Sequence, residues 1–217
     1  MKFSLFLSLF ALLFVSQSCN LMNCKSGKGE LVEEERRVED FEQVAFSGSG
    51  DLNIRSGNTR VRVEDHESLI GELETEVEGG TLKIDYDGCV NNSNLRADLS
   101  TRRLSGVYLS GSTQVDVAGN YDSSSFAAVI SGSADMRVHL EQSLATLSAT
   151  VSGSGTVDAR DSRTERVEVN ISGSGNVIVY AERELDITIS GSGDVIYYGN
   201  PRITQKVSGS GSIRSGN

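Results

Sequence analysis

The sequence predicts an all-β fold, a parallel β-helix, on three observations: a repeated Ser-Gly-Ser step, alternating apolar residues on both sides of it, and a short repeat. At the spacing of the repeat, the step occurs seven times in the 217 residues, with its central glycine at Gly48, Gly111, Gly132, Gly153, Gly173, Gly191 and Gly209. Successive steps lie 63, 21, 21, 20, 18 and 18 residues apart. A fixed period of this length is typical of solenoid coils, whereas one propeller blade needs about 40 residues or more.

Each repeat is predicted to hold two strands, one before the glycine step and one after it. Apolar residues alternate before the step, as in Leu185, Ile187 and Ile189, and again after it, as in Val177 and Val179. A period of two is the pattern of a strand with one buried face. If like residues stack on like at about 4.8 Å from coil to coil, the apolar side chains form one continuous column.

The central glycines are predicted to form the corners between these strands. Glycine adopts a positive φ without strain, and it leaves room where another backbone approaches closely. The serines on either side can hydrogen-bond the free backbone groups of the corner, or their neighbours above and below. The chain has 23 Gly, one Pro and no Trp, and its apolar residues occur in short runs, which favours strands and turns over helices.

Residues 55–104 lack the Ser-Gly-Ser step but keep the alternation, as in Leu82, Ile84 and Tyr86. Two alternating runs flank Gly79-Gly80, which predicts a β-hairpin there. Two interpretations stay open: coils of 18–21 residues that have lost their mark, since 63 is three times 21, or antiparallel strands that cap the solenoid. A cap would cover backbone groups that the end of a β-helix leaves unpaired.

At the other end, the repeat is interrupted within residues 212–217. This last coil is predicted to be either an exposed edge or the contact surface of a homo-oligomer.

The N-terminal residues 1–18 are predicted to be a signal peptide. Lys2 precedes an apolar run that is too short to span a membrane permanently. The following Ser16-Gln17-Ser18-Cys19 is typical of a bacterial lipoprotein cleavage site, with Cys19 as the lipidated N terminus. The alternative is ordinary signal cleavage nearby, which leaves Cys19 a plain thiol.

Residues 19–37 are polar and charged, and they are predicted to form a tether between the lipid and a domain that spans residues 38–217. The remaining cysteines are Cys24 and Cys89, which in an oxidising periplasm either pair or leave Cys89 free. No CxxC motif accompanies them, and the two histidines stand alone. The sequence therefore predicts neither a metal site nor a cofactor.

The charge of the chain narrows the choice of partners. The formal net charge is −10, and it becomes −11 when residues 1–18 are removed, because they contain Lys2 and no acid. An acidic surface disfavours nucleic acids and anionic membrane surfaces. Contact with a membrane is therefore expected only through the lipid anchor. The binding partner is expected to be a protein or a glycan that the sequence does not identify.

Catalytic chemistry is not predicted. Lyases and hydrolases that act on polysaccharides need clustered acids or an acid beside a base. The outward position four residues after the first Ser never carries acids in consecutive marked coils: it holds Asp51, Gln114, Asp135, Thr156, Asn176, Asp194 and Ser212. A serine nucleophile or a phosphate-binding loop is disfavoured because no helical pattern follows the steps.

One pair of outward residues is a candidate for ligand contact. Tyr180 and Tyr198 each fall eight residues after the first Ser of adjacent coils, so they are predicted to lie side by side on the outer surface. Exposed aromatic rings bind sugars or protein partners. The alternative is a ladder that protects the C-terminal coils.

The lipoprotein-like leader, the segment Glu78-Gly79-Gly80-Thr81-Leu82-Lys83-Ile84 and the serial Ser-Gly-Ser-Gly-Asp/Asn-Val units resemble the head-GIN domain family of auto-transporter adhesins. The resemblance covers about residues 38–217. It implies a right-handed parallel β-helix, related in shape to pectin lyases, in secreted or envelope proteins of Bacteroidetes-type bacteria. It supplies no functional residues.

The function expected from these observations is that of a non-enzymatic, lipid-anchored envelope protein whose β-helical head serves adhesion or scaffolding. The alternative is a polysaccharide-binding or polysaccharide-active β-helix protein.

Overall fold

A computed structural model of the chain describes residues 24–217. The predicted signal peptide and Cys19 lie outside these residues. The described elements are β1 (Lys25–Ser26), β2 (Leu31–Arg36), β3 (Gln43–Ser56), β4 (Arg60–His66), α1 (Glu67–Ile70), β5 (Leu73–Glu78), β6 (Thr81–Tyr86), β7 (Val90–Asn91), β8 (Arg96–Thr101), β9 (Gly106–Gly119), β10 (Ser125–Gly132), β11 (Asp135–Leu140), β12 (Leu144–Gly153), β13 (Thr156–Gly173), β14 (Asn176–Gly191), β15 (Asp194–Tyr198), β16 (Arg202–Gly209) and β17 (Ile213–Ser215).

The strands stack as the coils of a β-solenoid, as the repeat predicts. We call the strand segments before the glycine corners wall A and those after them wall B. Wall A runs in spatial order through β6, the first part of β3, the first part of β9, β10, β12, the last parts of β13 and β14, and β16. Wall B runs through β8, the last parts of β3 and β9, β11, the first parts of β13 and β14, β15 and β17. All of these neighbours are parallel and in register.

The core is the predicted apolar column. Val167, Val169 and Ile171 lie in register with Leu185, Ile187 and Ile189 of the next coil. The two triplets are buried, with at most 2% of any side chain exposed. Each coil therefore shares its apolar interior with the coils above and below it, and this shared burial stabilises the stack.

The first two marked coils are direct neighbours despite the 63 residues between their steps. Gly48 of β3 pairs with Gly111 of β9. The interpretation of residues 55–104 as three unmarked coils is therefore wrong. Within those residues, β6 and β8 supply one coil next to β3, the other strands lie outside the stack, and the chain returns at β9.

The same residues form the predicted cap at the N-terminal end. β5 and β6 make an antiparallel hairpin around Gly79 and Gly80, which confirms the hairpin. Because β6 and β8 also pair in parallel with β3, the cap begins with one further coil that lacks the glycine step. Beyond it, β4 pairs antiparallel with β8, and β2 with β4.

The tether predicted over residues 19–37 needs correction, because its described part belongs to the domain. β1 pairs with β7, and β2 adds a strand to the cap. The acidic run that suggested a solvated linker instead faces arginines of β4: Glu33 pairs with Arg62 and Glu35 with Arg60, each at 3.2 Å. Val32, which directly precedes Glu33, packs against the core.

No helix within residues 24–217 is long and apolar enough to cross a membrane.

Candidate functional site

The glycine corners form a structural column. All seven central glycines have φ between +120° and +135°. From Gly111 onward, each glycine also lies against the carbonyl group of the glycine in the preceding coil, so a Cβ atom there would collide with backbone. The backbone N–H of the following serine donates to that carbonyl, as from Ser174 to Gly153 at 2.8 Å. The repeated step thus serves the packing of the coils.

The serines of the step present two rows of hydroxyl groups along this corner. The rows are in register from coil to coil, and every serine in them is exposed except Ser47, which is half-exposed. Since the stacking hydrogen bond comes from the backbone amide, the hydroxyl groups are available to solvent or a ligand.

Three acids on the outer face of wall B are paired with neighbouring side chains. Asp98 accepts a hydrogen bond from Asn53 at 3.0 Å, Asp116 pairs with Arg55 at 2.7 Å, and Arg160 binds both oxygens of Asp158. Each carboxylate is held by a neighbour, so none of the three is poised as a free acid or base.

Asp194 belongs to the row of outward residues that stand four positions after the first Ser of each step, and it connects two coils. Its carboxylate accepts hydrogen bonds from the hydroxyl of Ser212 at 2.7 Å and from its N–H at 3.0 Å, and these bonds lower the pKa of Asp194. The acid therefore ties the last coil to the one before it. Among residues 24–217 there is no group of three or more His, Cys, Asp or Glu side chains arranged to hold a metal ion.

Tyr180 and Tyr198 lie side by side, in register on adjacent coils, and both are half-buried. The guanidinium of Arg163 lies over the ring of Tyr180, 5.3 Å from its centre. On the other side, Gly216 approaches the ring of Tyr198 so closely that a Cβ atom would come within 2.6 Å of it. The two rings thus lie in a row between Arg163 on one side and Gly216 on the other.

A third outward tyrosine, Tyr108, lines a groove that sequence reasoning missed. The groove crosses wall A and has a volume of about 370 Å³. Its outward-facing lining residues are Ala45, Ser47, Lys83, Asp85, Tyr108, Ser110, Val129 and Ser131. The signal was available in the sequence: Tyr108 stands two residues before the first Ser, where it has outward parity, and the same position is Ala45 and Val129 in the adjacent coils.

A second missed cluster lies in the cap around the buried Asp65. This carboxylate is 0% exposed and accepts hydrogen bonds from the N–H groups of His66 at 2.7 Å and Asn94 at 2.8 Å, and from the hydroxyls of Ser93 at 3.0 Å and Tyr86. Burial, followed by the bond to Asp65, raises the pKa of Tyr86. Since every lone pair of the acid has a donor, the cluster fastens residues 86–94 to β4.

The two cysteines of the described chain meet at the same end of the molecule. Cys24 and Cys89 form a disulfide, with their Cα atoms 4.6 Å apart. The bond fixes the start of the described chain to the loop between β6 and β8.

Comparison with known proteins supports the fold. The sequence model of a family described as "Putative auto-transporter adhesin, head GIN domain" matches residues 40–201. Among curated proteins, none matches the chain significantly.

Three solved structures illustrate the similarity. A "putative adhesin" from Bacteroides fragilis is 17% identical, with a TM-score of 0.69 over 88% of this chain and 99% of its own. One from Parabacteroides distasonis is 18% identical, with a TM-score of 0.61 over 89% and 100%. A "putative lipid binding protein" from Parabacteroides distasonis is 24% identical, with a TM-score of 0.57 over 88% and 99%. At these identities the likeness shows the fold alone.

Proposed function

The chain belongs to the head GIN domain family, and from this premise we propose that it is an adhesion or scaffolding module of the cell envelope and not an enzyme. The observation that carries the proposal is the outer surface of the solenoid. Its walls present long in-register rows of hydroxyl groups and paired charges, which suit contact with an extended partner. The descriptions of the similar structures as adhesins or a lipid-binding protein agree with a binding role.

We also propose that Cys19 carries a lipid that holds the domain at a membrane. Cys24 is joined to Cys89, so it is not available as a lipidated N-terminal cysteine. Cys24 is fixed to the domain by its disulfide and stands five residues after Cys19, so the Cα atoms of the two cysteines are at most about 17 Å apart. The domain would therefore stand close to the lipid surface, with its capped end toward it.

Metabolic labelling with an alkyne palmitate tests the anchor. We expect the full chain, produced in a bacterium that processes lipoproteins, to incorporate the label and to fractionate with membranes. Cys19→Ser should abolish both, whereas Cys24→Ser is the matched control and should keep both. Labelling that survives Cys19→Ser would overturn the assignment.

Attachment of cells that produce the full chain tests the adhesive role. We expect such cells to attach to a mucin-coated surface more than cells that produce Cys19→Ser or no chain. Treating the surface with protease or with periodate, which oxidises sugars, distinguishes a protein partner from a glycan. Equal attachment of all three strains to mucin would contradict the proposal.

A further inference from the structure

We propose that the groove beside Tyr108 binds a segment of a neutral glycan chain, with one sugar ring stacked on Tyr108 and hydroxyl groups bonded to the serine row. The inference rests on the proposed adhesive function and names a ligand class and a site for it. Four features of the groove carry it.

The first feature is the placement of the Tyr108 ring. The ring extends back along its strand over Gly106: a Cβ atom on Gly106 would lie 3.1 Å from Cε2 and 3.3 Å from the hydroxyl of Tyr108. The missing side chain thus lets the ring lie down against the sheet. A ring laid on a rigid wall offers a preorganised platform and loses little side-chain entropy on binding.

The second feature is that the ring's neighbours are small. Ala45 and Val129 occupy the same position in the coils on either side. Neither side chain is large enough to stack on the ring of Tyr108, which is half-buried like Tyr180 and Tyr198. Tyr180 differs, because Arg163 covers a face of its ring and Tyr198 lies beside it. Of these three tyrosines, Tyr108 is the one best placed to stack with a ligand.

The third feature is the row of hydroxyl groups along the opposite side of the groove. Ser47, Ser110 and Ser131 lie in register on three successive coils, spaced at about 4.8 Å. Ser110 and Ser131 are exposed. The groove therefore has an apolar floor, formed by Ala45, Val129 and the tyrosine ring, and along one side a row of serine hydroxyl groups that donate and accept hydrogen bonds.

The fourth feature is charge, which selects among ligands that carry hydroxyl groups. Lys83 at the end of the groove is already paired with Glu78, and Asp85 stands beside it with a negative charge. The protein as a whole carries −10. An anionic polymer would meet no free cation in the groove and a repulsive field outside it. A neutral chain meets neither obstacle.

These features together fit a sugar better than other amphipathic ligands. A pyranose ring has an apolar C–H face and a rim of hydroxyl groups. It can therefore pack on the apolar floor and hydrogen-bond the serine row at the same time. An acyl chain would pack on the apolar floor only. It would displace water from the serine hydroxyl groups without replacing the hydrogen bonds that the water makes to them. The volume of about 370 Å³ lies within the range typical of small-ligand sites.

Calorimetric titration tests the site with three neutral probes: cellohexaose, mannohexaose and chitohexaose. The full chain with Cys19→Ser serves as the reference protein, because it lacks the proposed lipid and allows vesicles to be tested as well. We expect at least one hexasaccharide to bind, and Tyr108→Ala to weaken its affinity by about tenfold or more. Tyr108→Phe, which keeps the ring, should retain most of the affinity.

Two control variants make the test specific. Thr150→Ala changes an outward side chain of the coil next to Val129, beyond the groove, and should leave the affinity unchanged. Tyr180→Ala should leave it unchanged too. Thermal melts of each variant show whether it is folded.

The inference is overturned if no hexasaccharide binds while producing cells still attach to mucin, since adhesion then uses another ligand. It is also overturned if Tyr180→Ala abolishes glycan binding and Tyr108→Ala does not, or if Tyr108 is instead needed for binding phosphatidylcholine vesicles. If a hexasaccharide binds through Tyr108 but the cells do not attach, the site stands and the adhesive role fails.

Discussion

The corner glycines differ in the constraints that act on them, although they look alike in the sequence. Gly48 and Gly173 both have a positive φ, +135° and +123°. At Gly173 a Cβ atom would also come within 2.5 Å of the carbonyl oxygen of Gly153, whereas at Gly48 the nearest atom is a ring carbon of Phe46 at 3.7 Å. Gly173 is therefore limited by backbone conformation and by packing, and Gly48 by conformation alone.

We expect Gly173→Ala to destabilise the protein more than Gly48→Ala. The unfavourable φ costs about 1–3 kcal/mol in both variants. Only the Cβ atom of Gly173→Ala must also push two coils apart. The free energy of unfolding should therefore fall by at least about 1 kcal/mol more in Gly173→Ala than in Gly48→Ala. Urea unfolding of the two variants measures the difference, and equal losses would contradict the close-approach argument.

The serine next to this glycine provides the matched control for the same experiment. Ser174 is exposed, and its stacking hydrogen bond comes from the backbone N–H. Ser174→Ala should change the free energy of unfolding by no more than about 0.5 kcal/mol. The larger Gly173→Val and Gly191→Val should both destabilise strongly.

The pKa of Tyr86 predicts how stability depends on alkaline pH. Burial and Asp65 raise this pKa above the value of about 10 that the residue has in the unfolded chain. A raised pKa means that the folded state keeps a proton that the unfolded state loses. The stabilising contribution is therefore complete below pH 10 and declines as the pH rises above it.

Urea midpoints at pH 9 and pH 11 measure this effect. We expect the midpoint to fall between the two values in the wild-type chain, and to fall less in Tyr86→Phe. The pKa of Tyr121 is raised by burial as well, so Tyr121→Phe should remove a further part of the decline. If the urea midpoint of the double variant Tyr86→Phe/Tyr121→Phe fell as much between pH 9 and pH 11 as that of the wild-type chain, the assignment of the decline to these two tyrosines would be wrong.

At the scale of elements, the cap depends on contacts between residues far apart in the chain. The disulfide joins Cys24 to Cys89 across a sequence separation of 65, and the Asp65 cluster binds β4 to residues 86–94. On the chain-entropy model, closing a loop of this length stabilises the folded state by about 4 kcal/mol.

We expect reduction of the disulfide to loosen the cap while the C-terminal coils stay intact. Hydrogen exchange under reducing conditions should show faster exchange in residues 24–36 and 87–94, and unchanged exchange in β13 and β14. The variant Cys24→Ser should behave like the reduced protein and should not respond to reductant. Equal loosening of β13 and β14 would show that the solenoid unfolds as one unit instead.

The strands themselves were largely predictable from the sequence, because alternation is a local signal. The hairpin at Gly79 and Gly80 was predictable for the same reason. The strand β2 was not: its charges look like those of a solvated linker until Arg60 and Arg62 of β4 are placed opposite them. An acidic run therefore signals a linker only when no strand of opposite charge pairs with it.

At the scale of the whole molecule, the two ends of the solenoid differ. Antiparallel strands cover the first coil, whereas β16 has no further neighbour on its outer side within residues 24–217. Val207 occupies the inward column beside Ile189 but is 41% exposed. An open strand edge with exposed apolar groups favours pairing with another chain.

We therefore expect the chain with Cys19→Ser to self-associate through β16. Light scattering during size-exclusion chromatography should show a mass above 23.3 kDa that rises with concentration. Val207→Glu should shift the chain to the monomer, whereas Lys206→Glu, on the outward side of the same strand, should shift it less. A monomer at every concentration in the unsubstituted Cys19→Ser chain would exclude this contact.

The sequence by itself determined the parallel solenoid, its glycine corners and its shared apolar column, because each of these follows from a repeat that every coil carries locally. Only the tertiary structure decided that Gly48 lies beside Gly111, that residues 55–104 and β2 form the cap, and that Tyr108 lines an open groove while Arg163 covers Tyr180. The physical reason is that these features depend on which surfaces meet across long stretches of chain. Their free energy comes from covered edges, paired charges and neighbouring side-chain sizes, and none of these is contained within a single repeat.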